Sequence, residues 1–109
     1  MKHLTMAEKS LLVGDEAADL LLEYAALLAQ SDSADTVVLK AYGDDGDPVD
    51  VTFLLNSGTS ILAQTSESPM GEPDNSAGIG YMRDRMRMIQ SPPSAQPMEP
   101  SNSGMDWEL

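Results

Sequence analysis

The sequence contains no cysteine, only one histidine and few aromatic side chains. Without cysteine the chain forms neither disulfides, thiolate nucleophiles nor thiolate metal sites, and this composition fits a reducing compartment. The one histidine, His3, lies beside the amino terminus and is a poor candidate for acid–base or metal chemistry. Because aromatic residues make up 5% of the 109 positions, one modest core of aliphatic side chains and methionine is expected.

Positive charge is also scarce. Six Lys and Arg residues face 18 Asp and Glu, which gives a formal net charge of −12. Such a surface repels nucleic-acid phosphates and anionic lipid head groups, so we expect no direct nucleic-acid or membrane partner, whereas a basic protein partner is compatible. The apolar run near the amino terminus is interrupted at Gly14, Asp15 and Glu16 before it reaches secretory or membrane-spanning length. These features predict a cytoplasmic protein.

The first 30 residues predict a long helix. Thr5 and Glu8 have the spacing of a capping box, which places a helix start near Met6. Gly14 costs about 1 kcal/mol relative to alanine inside a helix and marks a potential break, after which a second segment runs to about Gln30.

Apolar side chains surround most of this predicted helix. One narrow polar stripe is formed by Glu16, Asp19, Glu23 and Gln30. A surface helix normally hides only about a third of its circumference, so a partner helix is expected, either in a homodimer or in a hetero-complex. The candidate partner-binding residues of this helix are Leu20, Leu21, Leu27 and Leu28.

Three runs rich in β-branched and aromatic residues follow, at positions 36–42, 48–55 and 59–65. Asp45-Gly46 favours a tight turn between the first two runs, and the loop at 56–58 favours a hairpin between the last two. These runs predict a three-stranded antiparallel meander with one face against the helices.

A final helix is predicted before residue 90. An apolar stripe at helical spacing is formed by Ile79, Met82, Met86 and Ile89. Arg83 and Arg87 border one side of this stripe and Arg85 borders the other. Two interpretations remain open. In one, the arginines pair with acidic groups of the first helix. In the other, they border an apolar groove that binds an acidic, hydrophobic segment of a partner or of the chain's own tail, with Arg83 and Arg87 as the candidate binding residues.

We expect one small domain at residues 1–90, followed by a disordered Pro/Ser-rich acidic tail at residues 91–109. The tail contains four prolines and few core-forming residues. The only tryptophan, Trp107, lies in this tail with Met105 and Leu109 nearby. These three residues are a candidate docking motif; the alternative is an incidental hydrophobic group.

No motif for catalysis, a cofactor or a metal emerges. The acidic run at 43–50 lacks the spacing of a calcium-binding loop, and its sequence predicts a turn. Ser57 has no histidine to activate it. We therefore expect a protein that is not an enzyme and that has no cofactor or metal.

The sequence thus predicts an α+β chain with a long helix, a meander, a second helix and a tail. This order resembles that of small acidic secretion chaperones, and the resemblance implies a dimer that binds segments of other proteins. We expect an acidic protein-binding module: an adaptor, a chaperone-like escort or an inhibitor. The alternative is a phosphate mimic that blocks a basic nucleic-acid-binding site with the helical acidic stripe and with Asp44, Asp45, Asp47 and Asp50.

Overall fold

Seven elements follow one another along residues 1–90, the part of the chain that the computed structural model describes. The strands are β1 (Lys2–Met6), β2 (Lys9–Val13), β3 (Asp35–Tyr42), β4 (Pro48–Leu55) and β5 (Leu62–Thr65), and the helices are α1 (Asp15–Gln30) and α2 (Ser76–Gln90). The strands form one antiparallel sheet in the order β4-β3-β2-β1-β5. Side chains from one face of this sheet build a single core with both helices. The predicted tail lies outside the described residues.

The predicted long amino-terminal helix is wrong, because the first 13 residues form the β1–β2 hairpin. Met6 pairs with Lys9, so Ala7 and Glu8 form a two-residue turn, with φ of 52° and 68°. Leu4 is buried on the core face of the hairpin. The capping-box spacing was therefore coincidental, since Glu8 lies in a turn rather than in a helix.

The helix itself begins only at Asp15, directly after Gly14, and ends at Gln30. Two strands thus precede α1, and the order of elements no longer matches the helix, three strands and helix on which the chaperone resemblance depended. That resemblance therefore loses its basis.

The β1–β2 turn provides a test of this correction. Positive φ at both turn positions strains alanine and glutamate but suits asparagine and glycine. The double substitution Ala7→Asn/Glu8→Gly is expected to raise the free energy of unfolding by about 1 kcal/mol. Urea unfolding measures this gain. A loss of about 1 kcal/mol, the cost of glycine inside a helix, would contradict the hairpin.

The predicted meander is also wrong in its third strand. β3 and β4 form the expected hairpin, in which Val37 pairs with Phe53 and Gly46 has a φ of +84° in the turn. β5, however, pairs with β1 at the opposite edge of the sheet. The loop after β4 is a local turn, in which the Asn56 N–H donates to Thr59 Oγ1 at 2.8 Å. After this turn the chain does not return along β4.

The second helix lies where its apolar stripe predicts it. Met82 and Met86 are buried in the core, and Ile79 and Ile89 pack against it. Within residues 1–90 neither helix combines the length and the apolar composition needed to cross a membrane.

Candidate interaction surface

The start of α2 is fixed against the edge of β3. β2 and β3 pair only at Leu12 and Tyr42, so most of this edge has no strand beside it. There the Lys40 N–H donates to Asn75 Oδ1 at 2.7 Å, and Asn75 Nδ2 donates to the Lys40 carbonyl at 2.9 Å. The side-chain amide of Asn75, which is only 7% exposed, thereby replaces a strand partner.

One turn further along α2, Gly78 allows the helix to approach β3 closely. A Cβ atom at Gly78 would lie 2.7 Å from Leu39 Cδ2 and 3.0 Å from the Val38 carbonyl oxygen. Both distances are shorter than a normal van der Waals contact, so a side chain at position 78 would force Leu39 or α2 to move.

An open cleft of about 340 Å³ lies at this junction of β3 and α2. It is lined by Thr36, Val37, Val38, Ala77, Gly78 and Tyr81. Two of these side chains are large and exposed: Val38 is 58% exposed and Tyr81 is 42% exposed. The cleft therefore presents apolar and aromatic groups to solvent.

Leu54 extends this apolar region onto β4. Val38 pairs with Thr52, and Thr36 pairs with Leu54, so Val38 and Leu54 are diagonal neighbours on the sheet face away from the helices. Leu54 is also 58% exposed. We use the name Val38 surface for the set Thr36, Val38, Leu54, Ala77 and Tyr81.

The outer edge of β4 borders the Val38 surface. In an antiparallel ladder, successive residues direct their N–H and C=O alternately toward and away from a given neighbour. Lys40 uses both groups for Asn75, so its partner Asp50 directs its own groups away from β3. Because the direction alternates along a strand, Thr52 and Leu54, which lie two and four residues after Asp50, also direct their N–H and C=O groups away from β3. Pro48, at the start of the strand, has no N–H.

A polar network holds the Tyr81 ring in the wall of the cleft. The Tyr24 and Tyr81 hydroxyls both donate to Asp35 Oδ2, the latter at 2.7 Å. Arg85 Nε lies 3.9 Å from the same oxygen. Because Tyr24 is on α1 and completely buried, the network joins α1, β3 and α2 around one carboxylate.

The network shifts the pKa values of its members, most clearly those of Asp35 and Tyr24. Burial acts to raise the pKa of Asp35, but hydrogen bonds from Tyr24, Tyr81 and the Thr36 N–H, together with the charge of Arg85, outweigh it and hold this pKa below its usual value. Burial, followed by the hydrogen bond to Asp35, raises the pKa of Tyr24 to about 12. The folded state therefore favours an ionised Asp35 beside a protonated Tyr24.

The lowered pKa of Asp35 predicts an acid dependence of stability. Its contribution is fully present above the usual aspartate pKa and is lost as the pH falls through the lower folded value, because the carboxylate must then be protonated. Asp74, whose pKa is lowered by hydrogen bonds from Ser76, acts in the same direction. Urea unfolding across this acidic range is expected to show a shallower pH dependence for Asp35→Asn than for the wild type. Identical slopes would contradict the network.

The leucines proposed for partner binding belong largely to the interior of this chain. Leu20, Leu21 and Leu28 are buried in the core, and Leu27 is partly buried against it. α2 of the same chain packs against α1. The broad apolar surface of α1 is thus explained by the sheet and α2 together.

The arginines form ion pairs on the exterior. Arg83 pairs with Glu16 of α1, as one of the two interpretations expected, whereas Arg87 Nη1 lies 3.0 Å from Asp84 Oδ1 of its own helix. A shallow cleft of about 250 Å³ between the helices is lined by Glu23, Arg83, Met86, Arg87 and Gln90. Its lining is mostly polar, so it differs from the apolar groove of the other interpretation.

The remaining predicted sites are distributed as follows. Met105, Trp107 and Leu109 lie outside the described residues. The seven acidic residues of the mimic hypothesis divide into two groups. Glu16, Asp19 and Asp50 form ion pairs with basic side chains. The other four are exposed: Glu23 on α1, and three aspartates around the β3–β4 turn. Those three are Asp44, Asp45 and Asp47.

Among residues 1–90, no three His, Asp or Glu side chains lie close enough to hold a metal ion. The chain matches no protein-family profile, no curated protein and no solved structure. Functional inference therefore depends on the geometry of the described residues.

The Val38 surface was not identified from the sequence, although one signal for it was present. In the run Phe53-Leu54-Leu55, a strand cannot bury all three side chains on one face. Alternate residues of a strand point to the same face, so Leu54 lies on the same face as Asp50 and Thr52, which is the polar face. The contribution of Tyr81 depends on helix packing and had no comparable signal.

Proposed function

We propose that this chain is a protein-binding module without catalytic activity, and that it binds its partner through the Val38 surface. The observation that supports the proposal is the pair of 58%-exposed side chains, Val38 and Leu54, side by side next to an apolar cleft. Removing apolar surface from water contributes about 25 cal/mol per Å², so a partner that covers this region gains affinity. Tyr81 adds an aromatic group of the kind enriched in protein interfaces.

Charge supports a protein as the partner. The net charge of −12 opposes nucleic acid. Five of the six Lys and Arg residues form ion pairs within the described part of the chain, which leaves little positive charge for phosphate. The acidic mimic has weaker support, because much of its proposed surface lies beside those cations.

Two earlier expectations remain as part of this proposal in modified form. Association through α1 is replaced by association through the Val38 surface, since the α1 leucines pack internally. A second way to bind a partner is through the candidate docking motif of the tail, which consists of Met105, Trp107 and Leu109. A chain ending at Gln90 would lack this motif. A second copy of the chain is one possible partner, so the molar mass must be measured alongside binding.

Capture from cells of the native source tests the proposal. The baits are the full chain, the double variant Val38→Ser/Leu54→Ser, and the matched control Leu62→Ser/Met88→Ser. The control side chains are 60% and 51% exposed and lie outside the Val38 surface. Because all four substituted side chains are exposed, both double variants are expected to unfold at nearly the wild-type temperature.

The expected result is a protein captured by the full chain and by the control but not by the Val38/Leu54 variant. Equal capture by all three would contradict the Val38 surface as the binding site. A chain ending at Gln90 serves as a fourth bait, and loss of capture by that bait alone would transfer the function to the tail. A dimeric mass for the full chain that becomes monomeric in the Val38/Leu54 variant would identify the partner as a second copy.

A further inference from the structure

The outer edge of β4 offers backbone hydrogen bonds to a further strand. In residues 1–90 its only neighbour in the sheet is β3. Asp50, Thr52 and Leu54 direct their N–H and C=O groups outward, as the pairing of Lys40 with Asn75 requires. The Leu54 carbonyl already accepts a hydrogen bond from Thr59 Oγ1 at 3.2 Å, so the edge on offer consists of the Asp50 and Thr52 groups and the Leu54 N–H. An extended peptide that adds to such an edge gains main-chain hydrogen bonds, and its alternate side chains supply the specificity.

Side chains along this edge change from apolar to acidic. Leu54 lies at one end of the outer face of β4, and Asp50 lies four residues away, about 13 Å at the usual rise per strand residue. Beyond Asp50 the chain leads back to the exposed aspartates of the β3–β4 turn. Asp50 itself pairs with Lys40 Nζ at 3.3 Å, so the exposed aspartates of the turn supply most of the negative charge that is not already paired. A complementary strand therefore carries an apolar residue near Leu54 and basic residues from Asp50 toward the turn.

Charge separates the possible occupants of this edge. A second copy carries the same net charge of −12, and the acidic turns would add to the repulsion. Residues 91–109 contain three acidic and no basic side chains, so the tail of this chain has the same sign. A basic segment of another protein is the occupant whose charge is complementary.

We infer that the partner contributes an extended segment, apolar at one end and rich in Lys or Arg at the other, which adds to the sheet at the outer edge of β4. This inference rests on the proposed protein-binding function. To the proposed function it adds that the bound segment is extended and that one of its ends is positively charged.

Fluorescence anisotropy with labelled synthetic peptides tests the inference on the full chain. The probes alternate valine with threonine and carry arginines at either the amino or the carboxyl end, because the strand direction is open. One matched set has glutamates in place of the arginines. Another has N-methyl groups on alternate amides, which removes the N–H donors of one peptide edge.

Three protein variants complete the experiment. Thr52→Pro removes an outward N–H without removing a hydrogen bond to β3, and circular dichroism checks that it folds. Asp50→Lys reverses the charge at the edge. Glu23→Lys makes the same change in net charge on α1, far along the chain from β4, and is the control.

We expect an arginine peptide to bind, with affinity reduced roughly tenfold or more by glutamate exchange, by N-methylation, by Thr52→Pro and by Asp50→Lys. Glu23→Lys is expected to have a much smaller effect, and added salt to weaken binding. Absence of binding, or equal binding of the arginine and glutamate peptides, overturns the inference. A dimeric mass that Thr52→Pro abolishes also overturns it, because a second copy would then occupy the edge.

The two proposals fail in different ways. If no peptide binds at the β4 edge but Val38→Ser/Leu54→Ser still abolishes capture, only the inference about the edge is wrong. If capture is independent of Val38 and Leu54, the proposed function is wrong, whatever the peptides do.

Discussion

Replacing Asn75 with alanine is expected to lower the free energy of unfolding by about 2 to 4 kcal/mol. The substitution leaves both the N–H and the carbonyl of Lys40 without their partner at a site where Asn75 is only 7% exposed. An unsatisfied buried polar group costs about 1 to 3 kcal/mol, and here two partly buried groups lose their partner. The effect is therefore much larger than that of an ordinary surface substitution.

Urea unfolding of Asn75→Ala and Asn56→Ala measures this difference. Asn56 also accepts a backbone hydrogen bond, from the Gly58 N–H, but it lies in an exposed turn where water replaces the lost partner. Asn75→Asp retains the acceptor for the Lys40 N–H but places a carboxylate oxygen against the Lys40 carbonyl. It is expected to destabilise at neutral pH and to recover partly when protonated. Equal effects at positions 75 and 56 would show that α2 is not held to β3 by this amide.

Gly78→Ala and Gly80→Ala are expected to change stability in opposite directions. Alanine is favoured over glycine in a helix by about 1 kcal/mol, and a Cβ at Gly80 has nothing within 4 Å, so Gly80→Ala gains this amount. A Cβ at Gly78 would collide with the Val38 carbonyl and the buried Leu39 side chain. Overpacking costs about 1 to 3 kcal/mol, so Gly78→Ala is expected to destabilise despite its better helix propensity.

Thermal unfolding of the two variants checks the sign of each change. The two substitutions are chemically identical and lie two residues apart on one helix, so their difference isolates the contact with β3. A gain in stability at both positions would mean that α2 lies farther from β3 and that the cleft beside Val38 is wider than described.

The parts of the fold with a clear local signal were predictable. The β3–β4 hairpin follows from two apolar runs around Asp45-Gly46, and α2 follows from four apolar residues at helical spacing. The β1–β2 hairpin gave a misleading signal, since Ala7 and Glu8 favour helices and occupy a turn that usually takes asparagine and glycine. The alternation of Leu4 and Met6, followed by Leu11 and Val13, was the available sign of two strands.

Long-range features had no such signal. The pairing of β5 with β1 joins segments almost 60 residues apart, and a short loop after β4 is equally consistent with a hairpin. The same limit applies to the Val38 surface, which exists because Asn75 and Gly78 bring α2 to the edge of β3. The apolar excess of α1 suggested an external partner, whereas the chain covers it with its own second helix.

Site-specific photo-crosslinking tests the binding surface most directly. A photoreactive phenylalanine analogue replaces Leu54 in one chain and Leu62 in the other; both positions are similarly exposed and lie on opposite edge strands of the sheet. After irradiation in cells of the native source, we expect a discrete covalent adduct from position 54 and none from position 62. Adducts only from position 62, or none from either position, would contradict the Val38 surface as the site of association.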